Sequence, residues 1–333
     1  MLVVAVCVTD GRSECARPLS QASTLPRVTS PPHAISSPQA SSSPQNSSPS
    51  QPPSSSESAT LADTFRTAFA ARLETIAASA DGVIGYAIVD VTSGERFTRL
   101  DTIAFPTAST IKLAILNELF RQADQGRIAL DEVRPLDRAH AVPGGLLYEL
   151  STPSISPRDL AVAMILQSDN TATNVLIERL GMAAINARCA DLGLGATRLR
   201  RRMIDLDAAR RGDENVSSPA DLVRLVLAFH NGDGLTPQSK QAALEILKKP
   251  KQTAISTGVP SEIAIASKSG ELEGVRADAG IVYVPGRPYV FVAMGTFLRE
   301  TADVKRPLEE MARISYEYFG RRAGSSEYGR KIR

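Results

Sequence analysis

The chain has 333 residues, 43% of them hydrophobic and 22% charged, as expected for a globular protein of one large domain or two small ones. A net charge of +2 leaves no strong field to attract nucleic acid, and no apolar run approaches the ~20 residues that span a bilayer. Three cysteines (Cys7, Cys15, Cys189) and three histidines (His33, His140, His230) follow neither a disulfide nor a zinc spacing, so no metal or other cofactor is expected.

Residues 1–17 hold a short apolar stretch with no basic segment before it, read as a truncated export signal. Residues 18–58 read as a disordered tether: 29–58 contain 13 serines and 7 prolines, which bury little and remove backbone donors. Together they suit an exported protein, whether periplasmic, envelope-attached or secreted. The folded body is expected over 59–323, with 324–333 a disordered tail.

The body opens with Leu61, Phe65, Phe69, Leu73 and Ile76 at helical spacing. "GVIGYAIVDVTSGERFTRLD" then reads as two strands turning at Thr92-Ser93-Gly94. A helix follows from about Ser109 to Gly126. In the helical middle, Ser156-Pro157 begins one helix that breaks near Ser168. "TATNVLIERLG" forms the next, ending at Gly181, and "SSPADLVRLVLAFHNG" another. Strands return at about 262–268, 276–285 and 288–297, with a turn at Pro285-Gly286-Arg287-Pro288, and a last helix covers about 302–320. Strands at both ends and helices between them make an α+β chain. The simplest fold is one antiparallel sheet flanked by the terminal helices, with a helical subdomain inserted.

Three polar clusters punctuate this plan. Ser109 and Lys112 share a helix face near a helix start, where unpaired N–H groups can meet an oxyanion. Alone, they read equally well as a capping serine and a solvated lysine. Ser168-Asp169-Asn170 lies between two helices, where such residues commonly cap. Lys268-Ser269-Gly270 ends a strand, and its glycine allows another backbone to come close.

In this order, S-x-x-K, S-D-N and K-S-G form the signature set of the penicillin-recognising serine enzymes. With "FPTASTIKLAIL", "SDNTATNVLIERLG" and "GLGATRL", most of residues 60–320 resembles the class A β-lactamases. The resemblance implies a β-lactamase/transpeptidase-like fold and a cleft lined by all three clusters. In it, Ser109 is the nucleophile and Lys112 its base, with Lys268 the second cation that lowers the base's proton affinity. Ser168 passes a proton to the leaving nitrogen, Asn170 holds Lys112 and substrate, and Lys268 holds the Ser168 hydroxyl. The N–H groups of Ser109 and Glu271 form the oxyanion hole; Ser269 and Arg276 bind a carboxylate, beside Gly270. The implied partner is a small β-lactam or D-alanyl peptide acted on by a monomer. One departure stands out in "TRLRRRMIDLDAARRGDENVSSP": Met203 occupies the position of the family's water-activating glutamate, and Asp207 that of an asparagine. Asp205 or Asp207 is the candidate substitute. A penicillin-binding-protein-like peptidase or esterase, or a non-hydrolysing sensor, therefore stands beside the hydrolase reading.

Overall fold

The computed structural model describes residues 60–151, 154–299 and 304–332. The expected export signal and tether lie outside the described residues. β1 (Val83–Asp90) and β2 (Arg96–Arg99) form the expected hairpin, its turn tied by the Thr92 and Ser93 N–H groups donating to the Asp90 carboxylate. Three later strands follow: β3 (Ile265–Leu272), β4 (Val275–Val282) and β5 (Tyr289–Thr296). All five make one antiparallel sheet in the order β2-β1-β5-β4-β3. Early and late strands meet where β1 pairs with β5 from Val83 opposite Thr296 to Asp90 opposite Tyr289. Both strands are covered on two faces, hence their unbroken apolar runs.

β3 runs further than its pattern indicated. The polar stretch from Lys268 to Glu271 hides the alternation of a strand, yet its backbone pairs with β4 as far as Leu272 opposite Val275. The chain turns only at Glu273-Gly274, where Gly274 takes φ 67°. Lys268, Ser269 and Gly270 therefore lie within a strand and not at its end.

The longer helices are α1 (Leu61–Ala78), α2 (Lys112–Asp124), α3 (Pro157–Leu166), α4 (Asn170–Leu180), α5 (Met182–Asp191), α6 (Pro219–Asn231), α7 (Pro237–Lys248) and α8 (Lys305–Ala323). Thr60 and Asp63 cap α1 reciprocally. One sheet face packs against α1 and α8, where Phe69 stacks on Tyr318 at 4.2 Å and Tyr289 on Phe319 at 4.3 Å. Burying each such ring contributes ~1.5–3 kcal/mol. The other face packs against the inserted helices.

α2 is the centre of that insert. It is buried on nearly every side, which suits a helix with apolar residues all round. It does not begin at Ser109, because Ala108 at φ 45° cannot enter an α-helix. A 3-10 turn over Ala108–Ile111 comes first, and the α-helix starts at Lys112. Ser156 caps α3, Asp169 caps α4 and Ser218 caps α6, each accepting from a backbone N–H three residues on. α5, α7 and a short helix over Leu206–Arg210 were not expected from the sequence, although Thr236-Pro237 starts α7 with the same cap-and-proline signal as α3 and α6. The tail is a correction: residues 324–332 are largely exposed but carry a turn in which Ser325 bridges Lys331 and Ser326 N–H donates to the Arg330 carbonyl. Among the described residues, no helix is long and apolar enough to cross a membrane.

Candidate active site

Lys112 occupies the first turn of α2, where helical geometry aims its long side chain back across the preceding turn and into the protein. It is 0% exposed. Its Nζ donates to the Ser168 carbonyl at 2.6 Å and to Asn170 Oδ1 at 3.0 Å, and lies 3.1 Å from Ser168 Oγ. The carbonyl and amide oxygens accept its N–H groups, while the Ser168 hydroxyl can either accept from Nζ or donate to it. Burial pushes the Lys112 pKa well below the ordinary lysine value; the charge of Lys268 adds to this and that of Asp169 opposes it.

Ser168 presents both its carbonyl and hydroxyl to Lys112 because its backbone sits at φ 56°, between the end of α3 and the cap of α4. Ala108, next to Ser109, is also left-handed. Such conformations cost on the order of 1–3 kcal/mol each and cluster where the surroundings fix a functional geometry. Asp169 supplies part of that fixing: buried, it accepts from Ala172 N–H at 2.8 Å and from Leu147 N–H at 2.9 Å. Asn170 Nδ2 donates to the Pro143 carbonyl, so the loop before Leu147 is pinned to the same turn.

β3 closes the other wall. A Cβ on Gly270 would stand 2.6 Å from the Ser109 nitrogen and 2.8 Å from the Thr107 carbonyl, so only glycine lets the strand lie against the turn carrying Ser109. Lys268 is 3% exposed and donates to the Ser269 carbonyl at 2.6 Å, not to the Ser168 hydroxyl that the family resemblance assigns it. Burial pushes its pKa down to about 8, with Asp278 opposing the shift and Lys251 adding to it.

Ser109, Ser168, Asn170, Lys268, Ser269, Gly270, Glu271 and Arg276 all line one cleft of about 390 Å³. Every site residue expected from the sequence except Lys112 is on that surface, and Lys112 lies behind it, bonded to Ser168 and Asn170. A smaller pocket of about 130 Å³ opens from the opposite side of Ser109, lined by Met203, Ile204, Leu206 and Leu272 among others. The Met203 backbone is clamped there by Asn174, which accepts from its N–H at 2.8 Å and donates to its carbonyl at 3.1 Å.

Neither candidate substitute carboxylate reaches either cavity. Asp205 caps the Leu206–Arg210 helix by accepting from Ala208 N–H, and the exposed Asp207 pairs with Arg210. Both are consumed by the local helix, which the sequence reading did not resolve. The carboxylates on the pocket wall are Glu214, paired with Arg201 at 2.9 Å, and Glu271, paired with Arg276 at 2.9 Å.

Sequence reasoning missed Asp169 as a pin, Asn174 as a clamp and Asp278 beneath Lys268. Asp278 is 1% exposed and accepts from Ile255 N–H at 3.0 Å. An aspartate between two alanines, in a strand whose remaining residues apart from Arg276 are apolar or glycine, was the signal available for it.

Comparison with known proteins agrees with this geometry. Residues 68–319 match the model of the β-lactamase enzyme family. The chain belongs to that family. A curated relative, β-lactamase AST-1 of Nocardia asteroides, is 29% identical over 258 residues, covering 75% of this chain and 82% of the relative. Among solved structures, PBP-A superposes with a TM-score of 0.70 at 28% identity, covering 76% of this chain and 96% of that one. An ancestral class A β-lactamase does so with a TM-score of 0.70 at 26% identity, covering 75% and 100%. The fold is thus the β-lactamase/transpeptidase-like one, and in it Ser109 lines the same cleft as Ser168 and Asn170, the partners of the buried Lys112.

Proposed function

We infer that the protein is a serine hydrolase that opens β-lactam rings, or a related amide or ester, through an acyl-enzyme on Ser109. The observation that carries this is the fully buried Lys112 amine, held by Ser168 and Asn170 and driven towards its neutral form beside a cleft that contains Ser109. A serine hydroxyl needs a base to attack a carbonyl. Lys112 accepts the Ser109 proton as Oγ bonds the carbonyl carbon. The oxyanion that forms is met by the N–H groups of Ser109 and Glu271, where one lost donor typically costs ~10²–10³ in rate. The C–N bond then breaks. The Ser168 hydroxyl gives its proton to the nitrogen and is reprotonated by Lys112, 3.1 Å away. Lys268 and Arg276 draw an anionic group to the same cleft.

Deacylation is where this chain departs from the hydrolases it resembles. Met203 stands at the glutamate's position, and a thioether cannot take a proton from water. The acyl-enzyme is therefore the long-lived species. This favours a second reading, a penicillin-binding-protein-like peptidase or esterase. PBP-A supports it: that protein is known both by its own structure and by that of a leucine-to-glutamate mutant as an acyl-enzyme with penicillin G. Either activity fits an exported protein that meets β-lactams or cell-wall peptides outside the cytoplasm. The test is incubation of the full chain with a penicillin and a chromogenic cephalosporin, following both intact mass and hydrolysis. A mass gain equal to the whole lactam, absent in Ser109→Ala, is expected; no adduct and no turnover would refute acylation. Slow or absent turnover, with cleavage of D-alanyl peptides or esters, assigns the second reading.

A further inference from the structure

The cleft's polar wall holds two cations, but only one is free to turn outwards. Lys268 is buried and donates to the Ser269 carbonyl. Arg276 faces the cleft, and its Nη1 is bound by Glu271 Oε2 at 2.9 Å. The two residues stand directly opposite each other across β3 and β4, so the pair is set by strand register. The Glu271 side chain is 60% exposed and that of Arg276 18%. Both line the cleft with Ser109, and Glu271 also reaches the apolar pocket on the other side. A guanidinium holds a carboxylate best through two parallel N–H groups, and here a carboxylate of the chain itself takes an N–H of Nη1.

We propose that the Glu271 side chain is a specificity-determining group: it occupies Arg276 from within the chain, so that a substrate carboxylate must displace it, and the advantage of anionic over neutral substrates is reduced. This rests on the reading of the cleft as an acylating site. An ion pair this open to water exchanges readily, so the effect is several-fold and not orders of magnitude. The carboxylate does not close the site; it sets how much the site gains from a substrate's negative charge. Other charged groups near the pair are the buried Lys268 and Asp278, with Lys251 acting on Lys268, and the Arg201–Glu214 pair on the second pocket; all are shared by every substrate.

The test compares a penicillin bearing its free carboxylate with its methyl ester, using the full chain. The second-order rate of Ser109 acylation is read by intact mass for each. Glu271→Gln, which keeps the backbone N–H, is expected to raise the carboxylate-to-ester ratio about 5–10-fold, through tighter binding and not faster chemistry. In an Arg276→Ala background the same change should leave the ratio as it was. A ratio unaltered by Glu271→Gln, or a rise that persists without Arg276, overturns the proposal. Equilibrium binding of the same two probes in the Ser109→Ala background reads the ratio without chemistry. A ratio that rises there while Ser109 is never acylated sinks the hydrolase reading and leaves this one standing.

Discussion

On one side of Ser109, between α4 and β3, the wall is polar and over-determined: Lys112 has three partners, Asp169 pins two backbone segments, and two left-handed residues hold the turns. On the other side, the loop around Met203 offers thioether and aliphatic surface, with Asp205 turned to a cap, Asp207 to a surface pair and Glu214, on the pocket wall, to Arg201. The first wall holds the groups that the proposed acylation would use, and the second presents a thioether at position 203 and, in Glu214, a carboxylate already paired to Arg201. On the proposed function, acylation and deacylation are separable steps served by different walls.

The sharpest way to break that asymmetry is Met203→Glu. The pocket already places this residue beside Ser109 with its backbone clamped by Asn174. A positioned general base contributes ~10²–10⁴ in rate, so turnover of a chromogenic cephalosporin should rise about 10²-fold while the rate of acylation stays nearly constant. An unchanged turnover would show that the second wall is not what limits the reaction.

A smaller effect separates activity from stability. Burial holds Lys268 and Lys251 at about 8 in the folded chain, against 10.5 for an ordinary lysine. Between pH 8 and 9 the unfolded chain keeps protons that the folded one sheds, so stability should rise, by up to ~1.4 kcal/mol per pH unit for each such proton. Above about pH 9 the buried Cys189 thiol, pushed up to about 11 from 9.0, begins to act in the opposite direction. Over the same pH 8–9 window Lys268 loses its charge, and acylation by anionic substrates should fall. Urea unfolding and acylation rates at the two pH values check this; stability and activity falling together would contradict the assignment of Lys268.

The three polar clusters were legible because the chain holds them in one recognisable order, two of them at helix boundaries and the third inside a strand. The sheet and its joining of early and late strands were legible from periodicity and turns. What escaped detection depends on tertiary context. Ser109 lies in a 3-10 turn because Ala108 is left-handed, and alanine gives no local sign of that. β3 was cut short because its pairing with β4, and not its own alternation, extends it. The fates of Asp205 and Asp207 turned on a five-residue helix too short to show a period. The Glu271–Arg276 pair needs the register of a hairpin whose turn was misplaced.

The central claim is that Lys112, buried and with its pKa lowered, activates Ser109. The direct measurement is the second-order rate of Ser109 acylation by a penicillin in the wild type and in Lys112→Met, with circular dichroism confirming that both fold. Loss of ~10²–10⁴-fold is expected for removal of a positioned base. A variant that folds and acylates within about tenfold of the wild type would contradict the account.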